Sequence, residues 1–159
     1  MVKRRLAAKM GWLLFVAGMG VFLFPVRLSA RATGILGDWT DPSGSVIHIG
    51  RCGAHVCMWI AAISKSAPAT TDILNPNPAL RGRSLCGLEI GSGFLLHGPA
   101  RATGGTLYDP KTGKTYRGIL TSDGATLELR GYIGIPWFGR SQTWRRSPAP
   151  IQACKASAG

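Results

Sequence analysis

Residues 127–146 read LELRGYIGIPWFGRSQTWRR, and how this stretch divides decides the fold. From Thr126 to Arg130 apolar and polar residues alternate with a period of two. Leu127 and Leu129 point one way, while Thr126, Glu128 and Arg130 point the other. This predicts a half-buried strand over Thr126–Tyr132. The chain must then turn. Gly134 and Gly139 permit bends. Pro136 keeps Ile135 extended and has no N–H to offer a sheet. A last strand follows over Gln142–Arg146. Trp137 and Phe138, between the two strands, are expected at a rim, where they and Tyr132 are candidate ligand contacts.

The same pattern repeats toward the N-terminus. Short segments rich in β-branched and aromatic residues alternate with Gly, Pro and Asp. They predict further strands at Ile35–Thr40, Ser45–Gly50, His55–Ile63, Gly93–His97, Thr103–Tyr108 and Thr115–Thr121. Asp41-Pro42-Ser43-Gly44, Asp109–Lys114 and Ser122-Asp123-Gly124 read as hairpin connections. No heptad run, internal repeat or long amphipathic helix is present. The fold class is therefore all-β, a small antiparallel up-and-down barrel of about eight strands with one long loop.

The first 32 residues read differently. Lys3, Arg4, Arg5 and Lys9 precede an apolar run, Gly11 to Val26, and Ala30 and Ala32 form an A-x-A pattern. This is the form of a signal peptide cleaved after Ala32, which implies a periplasmic or secreted protein. The run is slightly short for a spanning helix, the alternative reading. The domain is then 33–146, followed by a Pro/Ala/Ser-rich tail, 147–159, expected to be flexible. Membrane contact is expected only through the leader before its removal. Six of the 19 basic residues lie in the leader, so residues 33–159 carry 13 basic against seven acidic, a net charge of +6. These charges are spread along the chain without a block, which argues against a nucleic-acid partner.

An oxidising compartment favours pairing of the four cysteines. Cys52 and Cys57 are close enough for a local disulfide across a turn. Cys86 and Cys154 are left either paired or free. His48 and His55 beside Cys52 and Cys57 suit zinc or copper chemically, but the spacing is unlike common zinc modules. No metal or cofactor is expected. Gly113-Lys114-Thr115 lacks the leading glycine of a phosphate loop, since Tyr108 stands there, and it lies in a hairpin. Gly91-Ser92-Gly93 lacks the spacing of a nucleophile elbow. No catalytic residue is assigned, and the sequence reveals no reaction.

Ser64–Gly87 is long for a connection in a compact domain, and such loops often carry function. Its Asp72, Asn75, Asn77, Arg81 and Arg83 are the densest polar group in the chain. They are ligand-binding candidates through the two arginines, or turn builders through Asx-Pro geometry.

Gly37-Asp38-Trp39 opens the first strand, and Trp144-Arg145 ends the last. In lipocalin-like barrels such a G-x-W packs beneath a basic residue of the final strand, a cation–π contact. Trp39, Trp144 and Arg145 are thus expected to close the barrel. A longer series of motifs runs Gly37–Trp39, Arg51-Cys52-Gly53 to Cys57, Asp72 with Asn75–Arg83, Leu85–Leu88, Tyr108–Pro110, Gly113–Tyr116, Leu129–Gly134 and Gly139–Trp144. In this series the chain resembles the bacterial secreted family called domain of unknown function 2147. Asn77 and Met58 depart from its more frequent aspartate and glycine. The resemblance implies a lipocalin-like fold and export, and brings no activity with it. The expected role is a non-catalytic module for a small apolar or amphipathic ligand. The alternative is an envelope-protein contact through the Asp72–Arg83 loop.

Overall fold

The computed structural model describes residues 34–148 and Cys154. The predicted leader lies outside the described residues, as does most of the predicted tail. Eight strands pair in sequence order and close on themselves: β1 Gly37–Thr40, β2 Val46–Cys52, β3 His55–Ala62, β4 Glu89–Leu96, β5 Arg101–Asp109, β6 Lys114–Ser122, β7 Thr126–Tyr132 and β8 Arg140–Arg146. Every pairing is antiparallel. Two single turns of 3₁₀ helix, Pro78–Leu80 and Pro136–Phe138, are the only helical pieces among the described residues.

The expected strands all form. The largest difference is β4, which starts at Glu89 instead of Gly93. Its first half carries a glycine, Gly91, where strands usually carry bulk. Gly91 is needed because the Met58 side chain lies against it: a Cβ there would stand 2.7 Å from the sulfur. Ile35 was expected within β1 but lies just before it. It is fully buried, and its N–H bonds Pro99 O at 2.9 Å across the barrel end.

Up-and-down order puts the β2–β3, β4–β5 and β6–β7 turns at one end. The other four connections, including Ser64–Gly87, share the opposite end. At the first end the barrel is sealed. Trp39 is fully buried and its Nε1 donates to Ile35 O at 2.8 Å. The guanidinium over its ring, 4.1 Å from the centroid, belongs to Arg146. This corrects the expectation placed on Arg145. Trp144 faces inward, so alternation turns Arg145 outward and Arg146 inward, and Arg146 is the register partner of Trp39. Arg146 also donates to the carbonyls of Gly124, Leu36 and Gly34. It therefore ties the segment just before β1, the β6–β7 turn and β8 together.

Above this seal the interior is filled by Ile49, Val56, Met58, Phe94, Leu120, Leu127 and Trp144. Gly105 and Gly118 make room for the Phe94 ring. A Cβ would meet ring atoms at 2.3 Å on Gly105 and 2.7 Å on Gly118.

Cys52 and Cys57 form a disulfide across the β2–β3 turn, with Cα atoms 5.8 Å apart. Cys86 and Cys154, left open by the sequence, form a second, with Cα atoms 5.4 Å apart. Cys154 N–H also donates to Ala61 O at 2.8 Å, which fastens that point of the tail to β3.

Candidate functional site

The long loop is built around one buried carboxylate. Thr71 and Ser84 form an isolated bridge that draws its two arms together. Asn77 caps the Pro78–Leu80 turn by accepting from Ala79 N–H at 3.1 Å. Asp72 is fully buried. Its oxygens accept from Tyr108 Oη at 2.6 Å, Asn75 Nδ2 at 2.7 Å and Arg83 Nε at 2.9 Å. Arg83 also lies 5.5 Å from the Tyr108 ring centroid. Arg81 Nε donates to Asn75 O at 2.9 Å.

Burial alone would raise the pKa of Asp72. The hydrogen bonds from Tyr108, Asn75 and Arg83, with the Arg83 charge, outweigh it and hold the carboxyl below its ordinary value. Tyr108 is pushed up by burial first and by the Asp72 hydrogen bond and charge second. Tyr108 adjoins inward-facing Leu107 on β5, so it points outward. The loop therefore lies along the outer wall, with Leu74 O crowding Gly113 of the β5–β6 turn. Asp72, Asn75, Asn77, Arg81 and Arg83 are all engaged in shaping this loop, the turn-building role among the expectations. Tyr108, the anchor, stands in the Tyr108–Pro110 motif, but its partnership with Asp72, 36 residues away, carried no signal in the sequence.

A second arrangement lies inside the barrel. On β6, β7 and β8 the inward positions are Tyr116, Gly118 and Leu120; Leu127, Leu129 and Gly131; and Arg140, Gln142, Trp144 and Arg146. The register pairs Leu127 with Trp144, Leu129 with Gln142 and Gly131 with Arg140. Burial fades along these pairs. Leu120, Leu127 and Trp144 are buried, Tyr116 and Leu129 are half-buried, and Gln142 and Arg140 are exposed. The interior is thus packed at the sealed end and reachable by water at the other. Trp144 Nε1 donates to Gln142 Oε1 at 3.2 Å, which ties the edge of this mouth to the packed floor. Arg140 makes no ion pair among the described residues. Sequence reasoning missed Tyr116, Leu129, Gln142 and Arg140 as a group. Alternation back from Trp144 gives their direction, but not their exposure.

The β7–β8 corner stands beside this mouth. Gly134 has φ +75°, open to glycine. Gly139 has an ordinary φ, and a Cβ there would fall 2.8 Å from Gly131 O, so close approach is what requires it. Trp137 and Phe138 project into solvent. Tyr132 faces outward on β7, opposite Arg117, beside a shallow groove shared with Thr115 and Ile133.

One histidine does meet a carboxylate: His48 Nδ1 lies 2.7 Å from Asp38 Oδ1. The pair sits on the outer wall, and the ring stacks on Trp59. No hydroxyl or thiol is bonded to its other nitrogen among the described residues. His97 Nε2 meets Thr103 Oγ1 at 2.8 Å on an exposed turn.

Among solved structures, a protein from the human pathogen Helicobacter pylori, described as belonging to the lipocalin family, matches with a TM-score of 0.66. The identity is 24%, over 72% of this chain and 84% of that one, a likeness that speaks for the fold. No match is found among curated proteins. Residues 37–146, the whole span of the barrel, match the family model described as "Uncharacterized protein conserved in bacteria (DUF2147)", and the chain belongs to that family.

Proposed function

We propose that the chain is an exported, non-catalytic binding module that holds one small amphipathic ligand in the half-open mouth of its barrel. The observation that carries this reading is the gradient of burial along β6–β8. A solid floor of Trp144, Leu127 and Leu120 lies beneath a wet mouth of Leu129, Tyr116, Gln142 and Arg140. Barrel mouths are common ligand sites. The apolar walls suit a short hydrocarbon or aromatic tail. Gln142 and the guanidinium of Arg140, which has no ion pair among the described residues, suit a polar or anionic head. Phe94 and Met58 fill the space below, which limits the tail to a short one. The two disulfides support export, since such bonds persist in oxidising compartments. The closed hydrogen-bond network around Asp72 favours a structural role for the long loop over a contact surface.

Native mass spectrometry of the protein purified from the periplasm tests this. The expected result is a fraction carrying one extra small mass that leaves on denaturation and is lost in Leu129→Trp, where the indole fills the mouth. A bare mass, together with no adduct on adding medium-chain alkyl carboxylates, would remove the proposal.

A further inference from the structure

The β7–β8 corner leaves four apolar side chains in water within six residues. Ile133 is 69% exposed, Ile135 52%, Trp137 86% and Phe138 82%. Contiguous apolar surface of this kind marks a place that something covers. The corner is also braced. Arg130 Nε and Nη2 donate to Pro136 O at 2.9 and 2.7 Å, and Gly139 N–H donates to the same oxygen at 3.0 Å. The backbone is held from behind while the rings point away.

Along the chain through this corner the charge is cationic, with Glu128 lying just before it and accepting from Ser141 Oγ at 2.8 Å. No Asp or Glu occurs from Leu129 to Pro148. Arg140 begins the strand that follows the corner, and Arg117 is the register partner of Tyr132. Neither makes an ion pair among the described residues. A second copy docked on this corner would set arginine against arginine. An anionic bilayer surface fits both features. Aromatic rings settle at the headgroup level, and cations beside them meet lipid phosphates.

We propose that the Ile133–Phe138 corner docks the barrel on an anionic lipid bilayer. Trp137 and Phe138 enter the interface, and Arg117 and Arg140 face the phosphates. This departs from the expectation that only the leader meets a membrane. The docking stands on the corner alone and needs no ligand in the mouth. The mouth lies at the same end of the barrel, so docking would turn it toward the bilayer.

The test uses the chain from Thr33 onward, which lacks the apolar leader and retains the whole barrel of residues 37–146. It is mixed with vesicles of phosphatidylglycerol and phosphatidylcholine, and with vesicles of phosphatidylcholine alone. Sedimentation should show binding to the anionic vesicles that weakens as salt is raised. The double variant Trp137→Ser, Phe138→Ser should bind at least about tenfold more weakly with an unchanged melting temperature. Arg117→Gln should weaken binding by several-fold. The emission difference between the wild type and Trp137→Phe isolates Trp137, and it should shift to the blue only with anionic vesicles. Equal binding of the wild type and the double variant would overturn the proposal. So would a Trp137 emission that stays water-like on bound protein. A dimer that dissociates in the double variant, without vesicle binding, would assign the corner to a second copy instead.

Discussion

Arg146 shows how much one side chain determines at the sealed end. Its planar fork stacks on Trp39 and reaches carbonyls of Gly34, Leu36 and Gly124 at once. A lysine keeps the charge and loses the fork. Arg146→Lys should therefore destabilise the barrel by about 2 kcal/mol in urea unfolding, given several lost charge-assisted bonds. Arg145→Ala should change stability by less than about 0.5 kcal/mol, as an outward strand residue. The reverse order would mean that the register at β8 is misread. Asp72 works on the same scale. Its folded pKa is lowered, so its contribution is present above the unfolded value, near about 4, and is lost as pH falls through the folded value. The pKa of Tyr108 is raised, so its contribution is present below about 10 and is lost as pH rises through the folded value. Proteolysis within residues 64–87 should accelerate at both extremes. Asp72→Asn should leave the loop cleavable at neutral pH, with a loss of about 2 kcal/mol in the loop's closure. A loop equally resistant in that variant would show that the carboxylate does not hold it.

The elements explain which features could be read early. Alternation over Thr126–Arg130 and the Asp-Gly turn of Ser122–Gly124 make β6, β7 and their hairpin legible, because register is local there. Glu89–Ser92 was not legible as strand. Its glycine, Gly91, serves a neighbour, Met58, that lies far off in sequence. The Phe94 ring makes the same demand on Gly105 and Gly118 across two strands. Gly105→Ala should thus destabilise by about 1–3 kcal/mol through overpacking, and Phe94→Leu in that background should recover part of the loss. An additive loss in the double variant would show that the ring and the glycine do not compete for one space. The expectation of Arg145 as the closing cation failed for a reason of the same kind: the β1–β8 register, which pairs Trp39 with Arg146, is not local in sequence. The candidate residues of the loop could be named from composition. Their mutual closure on Asp72 could not, because Tyr108 reaches it from another strand.

At the scale of the whole molecule, the two ends of the barrel differ in kind. One is sealed by Trp39, Arg146 and Ile35 over a packed floor. The other carries a wet mouth and a braced aromatic corner, with the long loop laid along the outer wall. The proposed recognition therefore belongs to the end opposite the Trp39–Arg146 seal. Methyl-detected NMR during titration with a medium-chain alkyl carboxylate tests this division most directly. The account predicts saturable shifts of the Leu129 methyls and the neighbouring Gln142 amide, while those of Ile49, Val56, Leu120 and Leu127 stay in place. Shifts centred on the packed floor, or none at any concentration, would contradict it.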